Sequence, residues 1–203
     1  MAGYLGAGTL TLVRHGEVEE RYRGCYVGGL DARLSPKGRE EAARLKPLFD
    51  DREGLSVWCS PKIRCRETAA IALGAGTGGV RVEEDLREMS FGAWEGRGYA
   101  QIAAETPDLA AEWERTFPDF RFPGGDKVSD FIARVRTVME KVLSEGARRT
   151  VLFTHGGVIR VALCLLLGTP FERCLAFDIG YASVTRLRFR RGGFRAEKIG
   201  EKP

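Results

Sequence analysis

The sequence predicts an α/β domain: a three-layer α/β/α arrangement whose mostly parallel sheet carries helices on both faces and ends in an antiparallel terminal strand. Three observations predict it. Short apolar runs rich in β-branched residues alternate with longer stretches of helical spacing, the pattern of βαβ units. Two Ser-Pro pairs, Ser35-Pro36 and Ser60-Pro61, combine a capping side chain with a first-turn proline and so mark helix starts. The chain closes on a strand followed by a Gly192-Gly193 hairpin, which adds an antiparallel piece.

Taken in order, Thr9–Val13 is a buried strand ended by Arg14-His15-Gly16, and a long loop follows. The helix opened by Ser35-Pro36 presents Ala42, Ala43, Leu45, Leu48 and Phe49 as its apolar face. Leu55–Cys59 is the second strand, and Ser60-Pro61 starts a helix that runs through Leu73 until the glycine-rich stretch Gly74–Gly79 stops it. Val80–Val82 is a brief third strand. A loop with glycines and aromatics, Met89–Gly98, leads into weakly helical material out to Arg115. From Val128 the set Val128, Phe131, Ile132, Val135, Val138 and Val142 repeats at helical spacing, predicting one amphipathic helix to about Gly146. Thr150–Thr154 is a strand and Gly157–Leu167 a buried helix. Ser183–Phe189 is a strand whose alternate arginines, Arg186, Arg188 and Arg190, face water and protect a sheet edge. With no internal repeat and no linker, the chain reads as one domain, 1–203, with residues 99–127 inserted over its top.

A chain of 203 residues is long enough to bury roughly 70% of its unfolded surface. Its 43% hydrophobic and 30% charged residues exclude disordered, collagenous and disulfide-scaffold classes. The net charge of +4 comes from 32 basic and 28 acidic residues spread along the chain, which offers nucleic acid no polybasic tail and suits an anionic small substrate. No Lys or Arg precedes Arg14, unlike a signal peptide, and the longest apolar run, Val161–Leu167, falls far short of the ~20 residues of a membrane span. A cytoplasmic protein without a membrane partner is expected. Cys25, Cys59, Cys65, Cys164 and Cys174 are odd in number and form no C-x-x-C pair, so they are read as reduced. Cys164 belongs to the core, the others are expected to lack a nearby histidine, and neither a metal nor a cofactor is expected.

Ligands of open α/β sheets bind beyond the carboxyl ends of the strands, so residues just past each strand are candidates for function. They are Arg14-His15-Gly16, Ser60-Pro61 with Arg64 one turn on, the acidic stretch near Glu88, and His155-Gly156. The chain has two histidines; both are in this set and both precede a glycine. Glycine lets the backbone approach a ligand and leaves N–H groups such as that of Gly156 free for phosphate oxygens. A lone histidine is ordinarily a satisfied core residue, but two in matched contexts point to chemistry. Arginine neutralises phosphoryl oxygens two at a time, and Arg14 and Arg64 stand where that is needed. Beside them an imidazole can attack phosphorus in line and form a phosphohistidine that water later cleaves. His15 is the expected nucleophile and must offer a neutral nitrogen, whereas a protonated His155 would donate to the phosphate. The leaving alkoxide needs a proton and the later water must lose one. Glu88 is the candidate for both, with Glu84 and Asp85 beside it and a solvated acidic turn as the alternative for all three.

Leu12-Val13-Arg14-His15-Gly16-Glu17 resembles the signature of the histidine phosphatase superfamily, also called phosphoglycerate mutase-like. Ser60-Pro61 with Arg64 and Thr68-Ala69 is similar to its second phosphate-arginine segment, and Leu86-Arg87-Glu88 with Phe91-Gly92-Ala93-Trp94-Glu95-Gly96 to its general-acid segment. Thr154-His155-Gly156-Gly157 is similar to its second-histidine segment, so the likeness runs along nearly the whole chain. The resemblance implies a phosphoglycerate mutase-like fold and a phosphohistidine mechanism without metal. In it His15 accepts the phosphoryl group, Arg14, Arg64 and His155 bind it, and Glu88 serves as acid and then base. Gly24-Cys25-Tyr26-Val27-Gly28 and Phe122-Pro123-Gly124-Gly125-Asp126 look most like α-ribazole phosphatases of cobalamin assembly and related broad-range phosphatases. There are departures. Arg21 stands where the family commonly carries an Asn that touches the phosphate, so its charge is expected to take over that contact. Val27 replaces Ser or Gln, Arg33-Leu34-Ser35 replaces Pro-Leu-Thr, and Asp126 replaces Glu.

The reading is a phosphomonoesterase for a small phosphorylated metabolite, with α-ribazole 5′-phosphate as the named candidate. A mutase would return the phosphoryl group to another hydroxyl and needs a water-excluding cover, for which Tyr99–Lys127 is short. A regulatory phosphate-binding protein would keep the arginines without turnover, against which His15 and Glu88 stand. Tyr26, Trp94 and Phe122 are candidate substrate contacts. With Trp113 and Phe117 the aromatic residues offer an apolar wall for an aromatic leaving group such as a ribosyl-benzimidazole, core packing being the alternative. A homodimer is the base-rate expectation, with the edge strand Ser183–Phe189 contributing.

Overall fold

The computed structural model describes residues 8–74, 79–190 and 192–203. Six strands, β1 (Gly8–Arg14), β2 (Leu55–Cys59), β3 (Val80–Val82), β4 (Arg149–Thr154), β5 (Val184–Arg190) and β6 (Gly193–Glu201), form one sheet in the order β3-β2-β4-β1-β5-β6. The first four in that order pair in parallel, and β5 runs antiparallel to both of its neighbours. Six α-helices accompany them among the described residues: α1 (Pro36–Ala43), α2 (Ile63–Leu73), α3 (Tyr99–Glu105), α4 (Pro107–Thr116), α5 (Val128–Ser144) and α6 (Gly156–Leu167).

The strands are apolar on both sides, which obliges helices on both sides. In β1, Leu10 and Leu12 face one core and Val13 the other; in β4, Leu152 opposes Val151 and Phe153; in β2, Trp58 opposes Val57 and Cys59. The Leu12 side is filled from α5 and α6 by Val135, Val138, Met139, Ile159 and Leu163. The Val13 side is filled by Ala69 and Leu73 of α2 together with Leu45 and Phe49. Each such side chain removed from water contributes roughly 1.5–3 kcal/mol. This is the three-layer mixed sheet that the alternating pattern predicts.

Several local expectations change. Ser35 does cap α1, its Oγ accepting from the Gly38 N–H at 3.0 Å. The helix stops at Ala43, however, and Lys46–Phe49 forms a separate 3₁₀ turn, because Pro47 has no N–H with which to continue an α-helix. Leu45 and Phe49 stay buried while Leu48 is left exposed. Ser60 does not cap α2: Lys62 occupies that position, and the Ser60 hydroxyl turns elsewhere. Gly74 ends α2 at a φ of +61°, as the glycine-rich stop predicts. The rest of that stretch at 75–78, the start at 1–7 and position 191 of the terminal hairpin lie outside the described residues. The strand expected at an edge is interior, since β6 covers the outer side of β5; the edges are β3 and β6. Arg186 and Arg188 therefore do not guard an edge, Arg188 pairing instead with Glu197 of β6, and Ser183–Phe189 has no free edge to offer a second copy.

Strand order also makes the site. The chain leaves β1 toward the α1–α2 face and leaves β4 into α6 on the opposite face, although β1 and β4 are neighbours. Connections that diverge above two adjacent parallel strands open a crevice at their carboxyl ends. No helix among the described residues is long and apolar enough to cross a membrane.

Candidate active site

β1 and β4 lie in register, with Arg14 opposite Thr154. The next residue on each is a histidine, so the two imidazoles meet, with ring centroids 5.2 Å apart. The His15 N–H donates to the Thr154 carbonyl at 3.0 Å and holds the two loops together. His15 Nδ1 lies 2.8 Å from the Gly16 carbonyl oxygen. A carbonyl can only accept, so Nδ1 carries the proton and Nε2 keeps its lone pair. His155 Nε2 lies 2.8 Å from Ser60 Oγ, which is what the serine does in place of capping α2.

Burial, followed by the charges of Arg64 and Arg14, pushes the His15 imidazole well below its ordinary value. Burial and Arg64, with His15 and Arg14 next, do the same to His155. Both rings are therefore neutral near pH 7. The expectation of a protonated His155 is corrected for this reason: an imidazolium there would be desolvated beside two guanidinium groups. A stability prediction follows with a definite sign. Below about pH 6.5 the unfolded chain binds two protons that the folded site refuses, so stability is lost as pH falls through that window, by up to about 2.7 kcal/mol per pH unit from this pair. Urea denaturation at about pH 7.5 and 5.5 measures it, and equal stability at both would contradict depressed imidazoles.

Arg14 donates through Nη1 to the Ile179 carbonyl at 2.6 Å, and its guanidinium lies over the Tyr181 ring, 4.1 Å from the centroid. Arg64, in the first turn of α2 and fully buried, donates to the carbonyls of Leu30 (2.7 Å), Gly28 (3.1 Å) and Val27 (3.2 Å). In both arginines Nε is buried without an acceptor, a cost of roughly 1–3 kcal/mol or more that an anionic ligand can relieve.

Of the three acidic candidates, Glu88 lines the cavity, while Glu84 and Asp85 sit in a 3₁₀ turn away from it, Asp85 paired with Arg87. Glu88 Oε2 accepts from the Gly157 N–H at 2.9 Å and Oε1 from the Met89 N–H at 3.1 Å. The carboxyl group thus rests on the N-terminal turn of α6. A Cβ on Gly157 would overlap Oε1, so glycine is what allows the approach. Gly16 has a different reason from the one expected. Its N–H is not free but donates to Thr68 Oγ1 at 3.1 Å, and a Cβ there would overlap the Gly38 carbonyl. Thr68 in turn donates to the Arg64 carbonyl at 2.7 Å, which ties the first motif to the second.

Arg14, His15, Glu88 and Gly156 share one cavity of about 290 Å³. Arg64 and His155 are not part of its lining; they act on it from behind His15 through charge and ring contact. Sequence reasoning missed Arg160 and Tyr181, which also line it. Arg160 follows Gly156 by one helical turn, a spacing that would have found it. Its Nε donates to the Phe177 carbonyl at 3.0 Å. Tyr181 comes from the loop before β5 and carries no local signal.

Three sequence candidates fare differently from Tyr26, which does line the cavity. Trp94 and Phe122 do not: they are 1% and 0% exposed, with ring centroids 5.1 Å apart, and belong to the core. Trp113 of α4 and Phe117 just past its end supply the lining in their place. Arg21 points into solvent from the 3₁₀ turn Glu20–Tyr22, held by Glu19 at 3.3 Å and stacked on Tyr22, and does not reach the cavity. Arg21→Ala is accordingly expected to change kcat/KM by less than about twofold, since exposed ion pairs contribute little; a larger fall would place Arg21 on the substrate. Asp126 accepts from the Ser90 N–H at 3.0 Å and fastens that loop.

The five cysteines are free thiols. Cys65, expected to lack a nearby histidine, instead packs against His155 with Sγ 3.5 Å from Nε2, because β2 and β4 are neighbours. Burial pushes its thiol well above the usual range and that of Cys59 to about 12, so neither is a thiolate. Among the described residues no group of three or more His, Cys, Asp or Glu is placed to hold a metal ion.

Comparison with known proteins agrees with this geometry. The family described as the histidine phosphatase superfamily (branch 1) matches residues 10–202. A protein of Hydrogenobacter thermophilus provisionally named phosphoserine phosphatase 2 is 31% identical over 179 residues, 88% of each chain. Glucosyl-3-phosphoglycerate phosphatase of Mycobacterium tuberculosis is 35% identical over 189 residues, 88% of this chain and 84% of its own. The crystal structure of the α-ribazole phosphatase from Shigella flexneri superposes with a TM-score of 0.85 at 25% identity, over 96% of both chains. With a family match along almost all of its length, the protein belongs to branch 1 of the histidine phosphatase superfamily.

Proposed function

We propose that the protein is a phosphomonoesterase that hydrolyses a small phosphate ester through a phosphohistidine on His15. The observation that carries this reading is the pairing of two neutral imidazoles at the head of adjacent strands, beside guanidinium N–H groups without acceptors and a carboxylate on a helix N-terminus. In the first step His15 Nε2 attacks phosphorus. The P–N bond forms as the ester P–O bond breaks, and the leaving alkoxide takes the proton of the Glu88 carboxyl. Arg14 and the Gly156 N–H hold the non-bridging oxygens, on which charge builds, while Arg64 adds its charge and His155 its ring contact from behind His15. In the second step water attacks phosphorus and gives its proton to the Glu88 carboxylate. The P–N electron pair returns to Nε2 and inorganic phosphate leaves.

Residues 99–127 are read as an insertion whose α4 closes one side of the cavity. α-Ribazole 5′-phosphate heads the substrate panel on the strength of the Gly24–Gly28 and Phe122–Asp126 resemblances and the Shigella flexneri structure. Phosphoserine and glucosyl-3-phosphoglycerate join it from the other relatives. The test is hydrolysis of an activated aryl phosphate by the purified protein with chelator present throughout. Turnover supports the reading, and its absence moves the assignment to a mutase or a phosphate-binding protein.

Gly157→Ala tests the position of Glu88 without removing it. The new methyl meets only the end of a flexible side chain, so stability should change by less than about 1 kcal/mol. Displacing the carboxyl by about 1 Å should cost alkyl esters roughly 10²-fold in kcat. Thermal melts and kinetics on one preparation check both halves of the prediction.

A further inference from the structure

We propose that the ester this site takes carries an apolar, ring-bearing alcohol, and that Trp113 of α4 and Phe117 just past its end select it; the proposal rests on the phosphatase reading above. Polarity in the cavity is segregated. Arg14, His15, Glu88, Arg160 and Tyr181 gather around the start of α6, and an Arg160 Nη and Arg14 Nε both stand close to Gly156, on the phosphoryl side. Toward the leaving group the surface is Met89, Phe91, Trp113, Phe117, Val128 and Leu175. Beyond that end Tyr26 and the weakly polar Cys25 and Cys174 also line the cavity, but no Ser, Thr, Asn, Gln, Asp or Lys side chain does among the described residues. A sugar or glycerate alcohol with no apolar ring would find only Tyr26 for its several hydroxyls, and a carboxylate at that end would have no counter-ion, both of which disfavour binding.

Trp113 lies on α4 and Phe117 is the residue just past its end, and their rings meet edge to face with centroids 5.6 Å apart. Both extend the aromatic cluster of Trp94, Phe120 and Phe122, yet those three are fully buried while Trp113 and Phe117 keep open surface. At the mouth Leu175 is 66% exposed, a large apolar side chain that an apolar substrate would cover. The size agrees: a dry cavity of about 150 Å³ takes one benzene-sized ring, so about 290 Å³ accommodates a ring together with a phosphoryl group.

The experiment compares 2-phenylethyl phosphate with glycerol 3-phosphate. Both leave primary alkoxides, so chemistry at phosphorus is matched and the ratio of kcat/KM reads the wall. A ratio of at least ~10 in favour of the phenyl ester is expected from burial of one ring. Trp113→Ala, or Phe117→Ala should the first variant fail to fold, is expected to shrink that ratio several-fold. In parallel, calorimetry compares benzylphosphonate with methylphosphonate, which needs no turnover. Hydrolysis of both esters at a ratio within about twofold would overturn the selection while leaving the phosphatase reading in place. Hydrolysis of neither ester would overturn the phosphatase reading, and the phosphonates then decide the wall: tighter benzylphosphonate binding supports it, equal binding overturns it.

Discussion

Alanine in place of His15 is expected to lower kcat/KM for an activated aryl phosphate by at least ~10⁴-fold while the protein stays folded. The effect is large because the variant loses the attacking atom itself, and a good leaving group does not compensate for a missing nucleophile. No neighbour is placed to substitute. His155 Nε2 is occupied with Ser60, and Cys65 beside it is buried as a protonated thiol. A second readout separates this role from a structural one: rapid acid-avoiding quench with labelled substrate should trap a phosphoramidate on the wild-type protein and none on His15→Ala. The depressed His15 also sets a pH dependence. Its nitrogen remains neutral below the ordinary imidazole value of ~6.5, so the acid limb it causes in kcat/KM should fall below that pH. Residual activity within tenfold of wild type would remove His15 from the nucleophile's role.

Glu88→Gln is expected to cost an alkyl phosphate roughly 10²–10³-fold in kcat/KM and a nitrophenyl phosphate less than about tenfold. The difference lies in the leaving group: an alkoxide must be protonated as it departs, whereas a nitrophenolate leaves as a stable anion. Glutamine keeps the shape and an oxygen to accept from Gly157 but has no proton of suitable acidity to give. Because kcat/KM reports steps up to the first irreversible one, the later role of Glu88 toward water does not enter the comparison. Equal losses on the two esters would assign Glu88 to holding the α6 turn instead of to proton transfer.

Much of this architecture is written in short stretches of sequence. The two-sided apolar strands around Leu12, Trp58 and Leu152 require a sheet covered on both faces, and the helical repeat from Val128 was readable for the same reason, since a backbone period shows within a few residues. His15 and His155 were singled out by position past a strand and by the glycine that follows each. Other features came only with the tertiary structure. The two histidines touch because β4 inserts between β2 and β1, and Ser60 serves His155 because β2 then lies beside β4. β5 turned out interior because β6 reaches far enough to cover it. Trp94 and Phe122 are the same kinds of residue as Trp113 and Phe117 in the same part of the chain, and packing alone sent one pair into the core and the other to the cavity.

The protonation of His155 belongs to the same class, being a sum over burial and the effects of Arg64, His15 and Arg14 gathered from two other motifs. By itself, then, the sequence determined the layers, the strand ends and the residue types available for phosphoryl chemistry, because local periodicity and capping depend on neighbours in the chain. Strand order, the partners of Ser60 and Gly16, the outward turn of Arg21 and the apolar wall were decided by contacts between distant segments, and such contacts leave no trace in any single stretch of sequence.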